Sequence, residues 1–302
     1  MAENLITILG PTASGKTALA AALANKISGE IISADSRQVY RGMDIGTGKD
    51  LHAYLVNGVQ VPFYLIDIHD PGYEYNVFEF QKDCYSIIVD IYKRGKQAIL
   101  CGGTGFYLDA ILKGKMLVEV QENKALRRKL ALLNKHELIA ELSRLRPLHN
   151  TTDTTDTNRL IRAIEIEKFK QEHVHEPPPV ALTHSIFGIK MDRDVLKKRI
   201  TKRLKERLDN GLAEEVEHLL ASGIEKEQLI FYGLEYKYVT LYMSGALSYN
   251  DMFQKLNSSI HQFAKRQMTW FRRMEKHGTK INWVDARKPL NEQIEFILSK
   301  TN

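Results

Sequence analysis

Short apolar runs alternate with helical spacing through the first third of the chain. The runs are brief and rich in aliphatic residues, which is typical of buried strands, and apolar residues three and four apart between them indicate helices. The predicted strands are 5–9, 30–33, 62–68 and 97–101, and the predicted helices between them are 17–27 and 77–94. This alternation predicts an α/β fold, with a mainly parallel sheet and helices on its faces.

The middle of the chain changes to a charged, helical pattern. This pattern extends from about 122 to 173 and is interrupted by the polar stretch 149–158, which holds five threonines. Three prolines at 177–179 end it, because proline cannot continue a helix. The elements predicted beyond them are a strand at 186–191, helices over 193–277 and a last short strand at 281–284.

Two domains follow from this change of character. The simplest organisation is an α/β core, 1–112 and 186–302, interrupted by a helical insertion domain at 113–185. A length of 302 residues suits one large domain or two modest ones. Because 43% of the residues are hydrophobic, the chain can bury a sizeable core.

Charge and cysteine content narrow the possible classes of protein. The 43 basic and 37 acidic residues give a net charge of +6, which is compatible with a polyanionic partner without requiring one. The two cysteines, Cys84 and Cys101, form no CxxC pair, which argues against a disulfide framework or a zinc site. No segment approaches the roughly 18 uninterrupted apolar residues that span a bilayer. We therefore predict a cytoplasmic protein without a membrane anchor.

A phosphate-binding loop follows the first predicted strand. The segment GPTASGKT matches the pattern GxxxxGK[ST] and opens an alanine-rich helix, which is the context that this motif requires. Its backbone N–H groups and the helix N-terminus attract phosphate, Lys16 would neutralise it, and the Thr17 hydroxyl would hold Mg²⁺. The predicted phosphate-binding residues are Gly10, Pro11, Thr12, Ala13, Ser14, Gly15, Lys16 and Thr17. They predict a P-loop NTPase-like core, but leave the reaction open.

Polar residues also follow two other predicted strands. Asp35 comes directly after the strand at 30–33, and Thr104 comes after two glycines that follow the strand at 97–101. Ligands of open α/β sheets bind at this carboxyl edge, so Asp35 is a candidate general base, or a carboxylate that contacts the groups bound directly to Mg²⁺. An ordinary turn or helix cap explains each residue equally well from local sequence.

Several segments together resemble the bacterial tRNA dimethylallyltransferases, also called tRNA isopentenyltransferases. The similarity runs from the N-terminus to about residue 273, and its combination of motifs is specific although the phosphate loop alone is generic. The matching segments are GPTASGKT at 10–17, SADSRQVY at 33–40, MDIGT at 43–47, IHDP at 68–71, GGT at 102–104, NRLIRAIE at 158–165, GLAEEV at 211–216 and AKRQMTWFR at 264–272.

The resemblance implies a reaction and its residues. The loop would bind the diphosphate of dimethylallyl diphosphate with Mg²⁺, and the dimethylallyl group would pass to N6 of the tRNA adenine next to the anticodon, at position 37. Asp35 would accept the proton from the amine, and Thr104 would orient the reacting groups. Arg203, in the segment RITKR, would stabilise the leaving diphosphate.

The resemblance also implies contacts with the anticodon stem-loop of tRNA. Arg159 and Arg162 lie three apart on a predicted helix and share a face, and Lys265 and Arg272 lie seven apart on another. A solvated helical face is the alternative for such charge runs. The implied tRNA contacts are Asp35, Ser36, Arg37, Gln38, Thr104, Arg127, Asn158, Arg159, Leu160, Ile161, Arg162, Lys237, Lys265, Arg266, Gln267 and Arg272. Glu235 stands where the family often has glycine, so the tRNA contact of Lys237 is less well supported.

Three other functions compete with this interpretation. A P-loop kinase for a small molecule explains the loop and the α/β core, but not the insertion or the basic residues at 265–272. An adenylate isopentenyltransferase performs the same chemistry on a free nucleotide, and the same two features favour tRNA over it. A P-loop switch protein is disfavoured because the sequence holds no NKxD-like segment that reads guanine. We expect a monomer.

Overall fold

Two compact units make up the chain in the computed structural model, which describes residues 3–148, 156–172 and 177–301. The core unit comprises Met1–Gly114 and Pro179–Asn302, and the helical unit is Lys115–Pro178. The core unit resumes before residue 186, the boundary that the sequence suggested, because the strand after the insertion already begins at Leu182.

A six-stranded parallel sheet forms the centre of the core unit, in the order β5-β2-β6-β1-β7-β8. Its strands are rich in Ile, Leu and Ala, and every residue of β2 and β6 is buried, as expected for a sheet covered by helices. The strands of the chain, including the separate β3–β4 hairpin, are β1 Glu3–Leu9, β2 Glu30–Ala34, β3 Leu55–Val56, β4 Val59–Gln60, β5 Phe63–Tyr64, β6 Ala98–Gly102, β7 Leu182–Lys190 and β8 Asn282–Asp285.

The helices begin at recognisable signals. Asn76, for example, caps the helix that starts at Val77, and its side chain accepts hydrogen bonds from the N–H groups of Phe78 and Glu79. The described helices are α1 Lys16–Ile27, α2 Val77–Lys93, α3 Gly105–Leu112, α4 Lys124–Leu130, α5 Lys135–Leu145, α6 Thr157–Glu172, α7 Arg193–Asp209, α8 Leu212–Ala221, α9 Lys226–Tyr232, α10 Leu234–Met243, α11 Tyr249–Lys276 and α12 Leu290–Leu298. Of these, α4, α5 and α6 belong to the helical unit.

One predicted strand is much shorter than its sequence suggested. Of 62–68, only Phe63 and Tyr64 join the sheet. The chain turns away because Leu65 and Asp67 adopt φ angles of 61° and 56°, which no strand residue has. The Asp67 carboxylate then pairs with the buried ammonium of Lys49. The sequence also missed the β3–β4 hairpin, α3 and α12, while the polar stretch 149–155 lies outside the described residues.

The helical unit has an apolar core of its own. Leu138 and Leu142 of α5 pack against Leu160, Ile161 and Ile164 of α6. Leu160 is fully buried and Ile161 is 8% exposed. Both side chains face the interior of the unit, and the implied contacts of these two residues with tRNA stay predictions.

Candidate active site

The phosphate loop joins β1 to α1 and leaves polar groups without protein partners. Ala13 and Gly15 have φ angles of 62° and 90°, left-handed values that bend the loop tightly before the helix begins. The hydroxyl of Ser14 is buried and has no hydrogen-bond partner among the described residues. A buried hydroxyl without a partner is costly, and an oxyanion in the loop would satisfy it. The loop therefore has the geometry of an anion site at a helix N-terminus.

Two cations meet at this loop. Lys16 is half-buried at the start of α1, and burial lowers the pKa of its ammonium, an effect that the carboxylates of Asp35 and Asp50 partly offset. The guanidinium of Arg203 on α7 donates to the hydroxyl of Thr12 in the loop. Burial also lowers the pKa of Arg203, to about 10, so the group remains charged at neutral pH. Arg203 therefore lies beside the phosphate loop, and its role in stabilising a leaving diphosphate stays a prediction.

Asp35 and Thr104 lie together at the carboxyl ends of adjacent strands. Asp35 follows β2 and Thr104 follows β6, and these strands pair directly. The Thr104 hydroxyl accepts a hydrogen bond of 3.3 Å from the N–H of Ser36, next to Asp35. Asp35 Oδ1 accepts from the N–H of Arg37 at 3.0 Å, which fixes the carboxylate. Asp35 thus forms an Asx turn, and the same turn holds its carboxylate beside the phosphate loop.

Two glutamines implied as tRNA contacts instead stabilise the site from within. Gln267 is 7% exposed; it accepts from the N–H of Thr12 at 2.8 Å and donates to the carbonyl of Gly103 at 2.9 Å. Gln38 is 9% exposed and bonds Ser33 Oγ and the carbonyl of Gly48, each at 3.0 Å. Both side chains make these internal hydrogen bonds in the structure, and their contacts with tRNA stay predictions.

A second arginine of α7 explains why residue 235 is glutamate, where the family often has glycine. Arg207 lies one helical turn after Arg203 and pairs with Glu235 at 3.3 Å. Arg207 is only 9% exposed, and its Nη2 makes no hydrogen bond within the described part of the chain. Glu235 therefore supplies the negative charge that this buried guanidinium needs. Lys237 is half-buried beside the ring of Tyr238, with the ammonium 5.5 Å from the ring centroid.

The loop between Tyr40 and Asp50 is held by two charged residues that sequence reasoning missed. The carboxylate of Glu215 accepts from the N–H groups of Asp44, Ile45 and Gly46, at 2.7 to 2.9 Å. Three consecutive N–H groups around one carboxylate form an anion-binding nest. The MDIGT and GLAEEV segments had signalled these positions, but not that they meet.

Lys49 fixes the same loop from the inside. Its ammonium is fully buried and contacts the carbonyl of Tyr40, the carboxylate of Asp44 at 2.5 Å and the carboxylate of Asp67. A buried lysine persists only when such partners surround it. The next residue, Asp50, brings its carboxylate within 3.9 Å of Arg203. The fixed loop thus ends at a cation of the site.

The arginines of the helical unit are neutralised by a buried carboxylate. Glu165 is 2% exposed and pairs with Arg127 at 3.0 Å and with Arg162 at 2.5 Å. It also accepts from the N–H of Asn123 at 2.5 Å. Burial alone would raise the pKa of Glu165, but these hydrogen bonds lower it below its ordinary value. Arg127 and Arg162 therefore stabilise the unit, whatever else they contact.

The remaining implied tRNA contacts lie on the surface. Asn158 and Arg159 are exposed at the start of α6. On α11, Lys265, Arg266 and Arg272 are exposed, and no ion pair within the described ranges neutralises them. The predicted basic stripe is therefore exposed on α11, whereas on α6 Arg159 is exposed and Arg162 pairs with Glu165.

Oxygen donors at the loop fit a magnesium ion. The Thr17 hydroxyl lies in the first turn of α1, and the carboxylates of Asp35 and Asp50 lie near enough to Lys16 to affect its pKa. No cluster of three or more His, Cys, Asp or Glu ligands occurs in the described part. Mg²⁺ needs no such cluster, because it usually takes one or two protein oxygens and completes its shell with water and phosphate.

The helices show no membrane-spanning character. Charged residues interrupt even α11, the longest described helix, and none of the others in the described ranges offers an apolar stretch long enough to cross a bilayer.

Known proteins resemble this chain over nearly its whole length. It is 54% identical to tRNA dimethylallyltransferase 2 of Bacteroides fragilis over 298 residues, 98% of this chain and 97% of that protein. It is 55% identical to tRNA dimethylallyltransferase 1 of Geotalea daltonii over 304 residues, 98% of this chain and 96% of that one.

Solved structures share the fold. A tRNA isopentenylpyrophosphate transferase from Bacillus halodurans is similar with a TM-score of 0.72 and 32% identity, covering 99% of this chain and 97% of that one. A eukaryotic dimethylallyltransferase acting on tRNA has a TM-score of 0.74 at 22% identity, over 94% of this chain and 74% of that one. The latter likeness concerns the fold alone.

The parallel sheet and the loop before α1 define a P-loop α/β protein. The sequence profile of the IPP transferase family matches residues 38–274. The chain belongs to the IPP transferase family, and it is an enzyme, as the full-length relatives are.

Proposed function

We propose that this enzyme transfers the dimethylallyl group of dimethylallyl diphosphate to N6 of adenine 37 in tRNA, next to the anticodon. The reaction would release diphosphate and leave N6-isopentenyladenosine. The observation that carries this proposal is the meeting of Lys16 and Arg203 at a phosphate loop, directly beside Asp35 and Thr104. The names of the relatives at 54 and 55% identity support the choice of substrates.

The phosphate loop would hold the part of the substrate that leaves. As the bond between the allylic carbon and the diphosphate oxygen breaks, negative charge grows on the diphosphate. Lys16, Arg203 and the loop N–H groups stabilise that charge from fixed positions, which lowers the barrier most where water is scarce. Mg²⁺ held through Thr17, when bound, would neutralise further charge on the same group. The Ser14 hydroxyl would donate to a phosphate oxygen.

Asp35 would act on the other reactant. The exocyclic amine of adenine is a weak nucleophile, because its lone pair is delocalised into the ring. As the amine nitrogen bonds to the allylic carbon, it loses a proton, and the Asp35 carboxylate accepts it. Oδ1 is fixed by the N–H of Arg37, while Oδ2 makes no hydrogen bond within the described residues. The Thr104 hydroxyl lies beside this carboxylate and would orient the amine.

Exposed basic residues would bind the tRNA backbone. Lys265, Arg266 and Arg272 on α11, and Arg159 on α6, have the charge and exposure for phosphate contact. The target adenine must leave its stack to reach Asp35, and this step costs least in a loop that is already single-stranded. We propose that the enzyme works as a monomer in the cytoplasm.

Acceptor choice tests the proposal. The protein is incubated with Mg²⁺ and labelled dimethylallyl diphosphate, together with unmodified tRNA, the same tRNA carrying guanine at position 37, or AMP. We expect label in the first tRNA alone. Label in AMP would identify an adenylate isopentenyltransferase. In a parallel incubation with ATP and small metabolites, transfer of phosphate to a metabolite would identify a kinase. Either result refutes the proposal.

The Asp35→Asn variant tests the role of the carboxylate. The amide keeps the shape and the hydrogen bond to Arg37 but cannot accept a proton, so we expect turnover to fall by roughly 10²- to 10⁴-fold. The Kd for tRNA should change by less than about threefold. Unchanged turnover with weakened tRNA binding would show that Asp35 is a binding residue and not the base.

A further inference from the structure

Two exposed aromatic rings lie next to the residues of the candidate site. Phe106 is 55% exposed and Phe231 is 63% exposed, which is unusual for phenylalanine on a folded protein. Phe106 stands two residues after Thr104, in the first turn of α3. Phe231 lies at the end of α9 and contacts Arg37, which donates its N–H to Asp35.

Each ring is fixed from behind by its neighbours. Trp270 packs so closely on Gly105 that no side chain would fit there, and its ring meets Phe106 edge to face with centroids 6.4 Å apart. The ring of Phe231 meets the ring of the buried Tyr232 edge to face, with centroids 6.1 Å apart. The rings are therefore held in place with exposed faces, and little side-chain entropy would be lost on binding.

Cations accompany both aromatic positions. The guanidinium of Arg37 lies 5.1 Å from the centroid of Phe231, and that of Arg273 lies 5.7 Å from the centroid of Trp270. Aromatic faces interleaved with arginine are the surface that unpaired nucleotides bind, because the ring stacks a base while the cation meets its phosphate. A short prenyl tail would gain nothing from the arginines.

We infer that Phe106, supported by Trp270, and Phe231 are stacking surfaces for unpaired bases of the tRNA loop that carries the target adenine. The inference rests on the proposed function, because it names how the same site holds its nucleic-acid substrate. Stacking on these rings replaces part of the base–base stacking that is lost when the target adenine leaves the loop.

Binding measurements on Phe106 and Phe231 variants test this inference. We expect Phe106→Ala and Phe231→Ala each to raise the Kd for tRNA roughly tenfold. The slope of log Kd against log salt should stay unchanged, because no phosphate contact is lost. Lys265→Ala should instead lower that slope by about one. Phe106→Tyr should restore tight binding, while Phe106→Leu, which is apolar but not flat, should not.

Tyr249→Ala is the matched control. Tyr249 is 49% exposed and also has an aromatic neighbour, Tyr242 at 5.7 Å, but it begins α11, roughly 30 Å along the helix from Trp270. Its Kd for tRNA should remain that of the wild type. Circular dichroism and the Kd for dimethylallyl diphosphate report whether each variant is folded with an intact phosphate loop.

Other outcomes would overturn the inference in distinct ways. A raised Kd for dimethylallyl diphosphate with unchanged tRNA affinity would show that the rings line the prenyl site. Dissociation of a wild-type dimer by the alanine variants, seen by light scattering, would show a contact between copies. Leucine performing as well as phenylalanine would exclude stacking. Failure of the wild type to bind tRNA would refute the proposed function itself, whereas variants with wild-type affinity refute only the inference.

Discussion

The cations at the phosphate loop and those of the helical unit differ in how closely carboxylates pair with them. At the loop, Lys16 and Arg203 have neutral or distant partners, and burial lowers the pKa of both. The nearest carboxylate to Arg203, that of Asp50, lies 3.9 Å away. In the helical unit, Arg127 and Arg162 are held directly by the buried Glu165.

This difference separates a binding site from a structural ion cluster. Cations that are partly buried and incompletely neutralised attract an external anion, since their own desolvation is compensated only when it binds. A cluster whose positive and negative charges balance one another does not need an external anion. The sequence places arginine in both regions, and the partners of each arginine distinguish the two roles.

Removing a cation from the loop should have the largest effect. We expect Arg203→Gln to lower kcat by roughly 10²- to 10³-fold, because a fixed donor to the leaving group is lost. The free energy of unfolding should hardly change, since Arg203 has no close counter-ion. Steady-state kinetics and urea denaturation measure the two quantities. Lys198→Gln, which removes an exposed charge from the same helix, should leave both near wild type.

Removing the buried carboxylate should instead destabilise the helical unit. Glu165→Gln removes the buried carboxylate that Arg127 and Arg162 share, at a cost of roughly 3 kcal/mol of unfolding free energy. Amide hydrogen exchange along α6 measures this loss. The matched control is Glu122→Gln, because Glu122 contacts the same Arg127 at 3.2 Å but is 53% exposed. Its cost should stay below about 1 kcal/mol. Equal losses in the two variants would contradict the buried cluster.

The same cluster should respond to acid. The folded-state pKa of Glu165 is lowered, so its contribution to stability is fully present above the pKa of the unfolded state, about 4.3. That contribution should be lost as the pH falls from there through the folded-state pKa. Exchange in α6 of the wild type should accelerate over this window, and the Glu165→Gln variant should lack this component.

Glu215→Gln should have the smallest effect. Its donors are three neutral N–H groups and the hydroxyl of Tyr236, and glutamine keeps one acceptor oxygen, so we expect a cost of about 1–2 kcal/mol. Because this loop leads to Asp50 and Arg203, kcat should fall a fewfold. Exposed Glu214 offers the control, Glu214→Gln. If hydrogen exchange at 44–46 and kcat of the Glu215→Gln variant matched those of the wild type, the nest would not order the loop.

The sequence predicted those features of the fold and the site that depend on residues close together in the chain. The strand-to-helix glycine motif identified the phosphate loop, and polar residues after apolar runs identified Asp35 and Thr104. The approach of Arg203 to Thr12 spans 191 positions, so it was available only through resemblance to a family. Leu160 and Ile161 lie between Arg159 and Arg162 in the sequence, but their side chains pack into the core of the helical unit.

Contacts between distant segments could not be predicted from the sequence. Gln267 reaches the N–H of Thr12 across 255 positions, and Glu215 reaches the loop at 44–46 across about 170. No local periodicity encodes such pairs. The strand at 62–68 is shorter than predicted because Leu65 and Asp67 adopt left-handed angles, and the Asp67 carboxylate pairs with the buried Lys49 of another segment.

The central claim is that the phosphate loop holds a leaving group. Dimethylallyl diphosphate labelled with ¹⁴C in the prenyl group and ³²P in the diphosphate tests it in one reaction with tRNA. We expect all transferred ¹⁴C in tRNA and an equal amount of ³²P as free diphosphate, with no ATP consumed. Recovery of ³²P in the tRNA, or ¹⁴C transfer without diphosphate release, would contradict the claim.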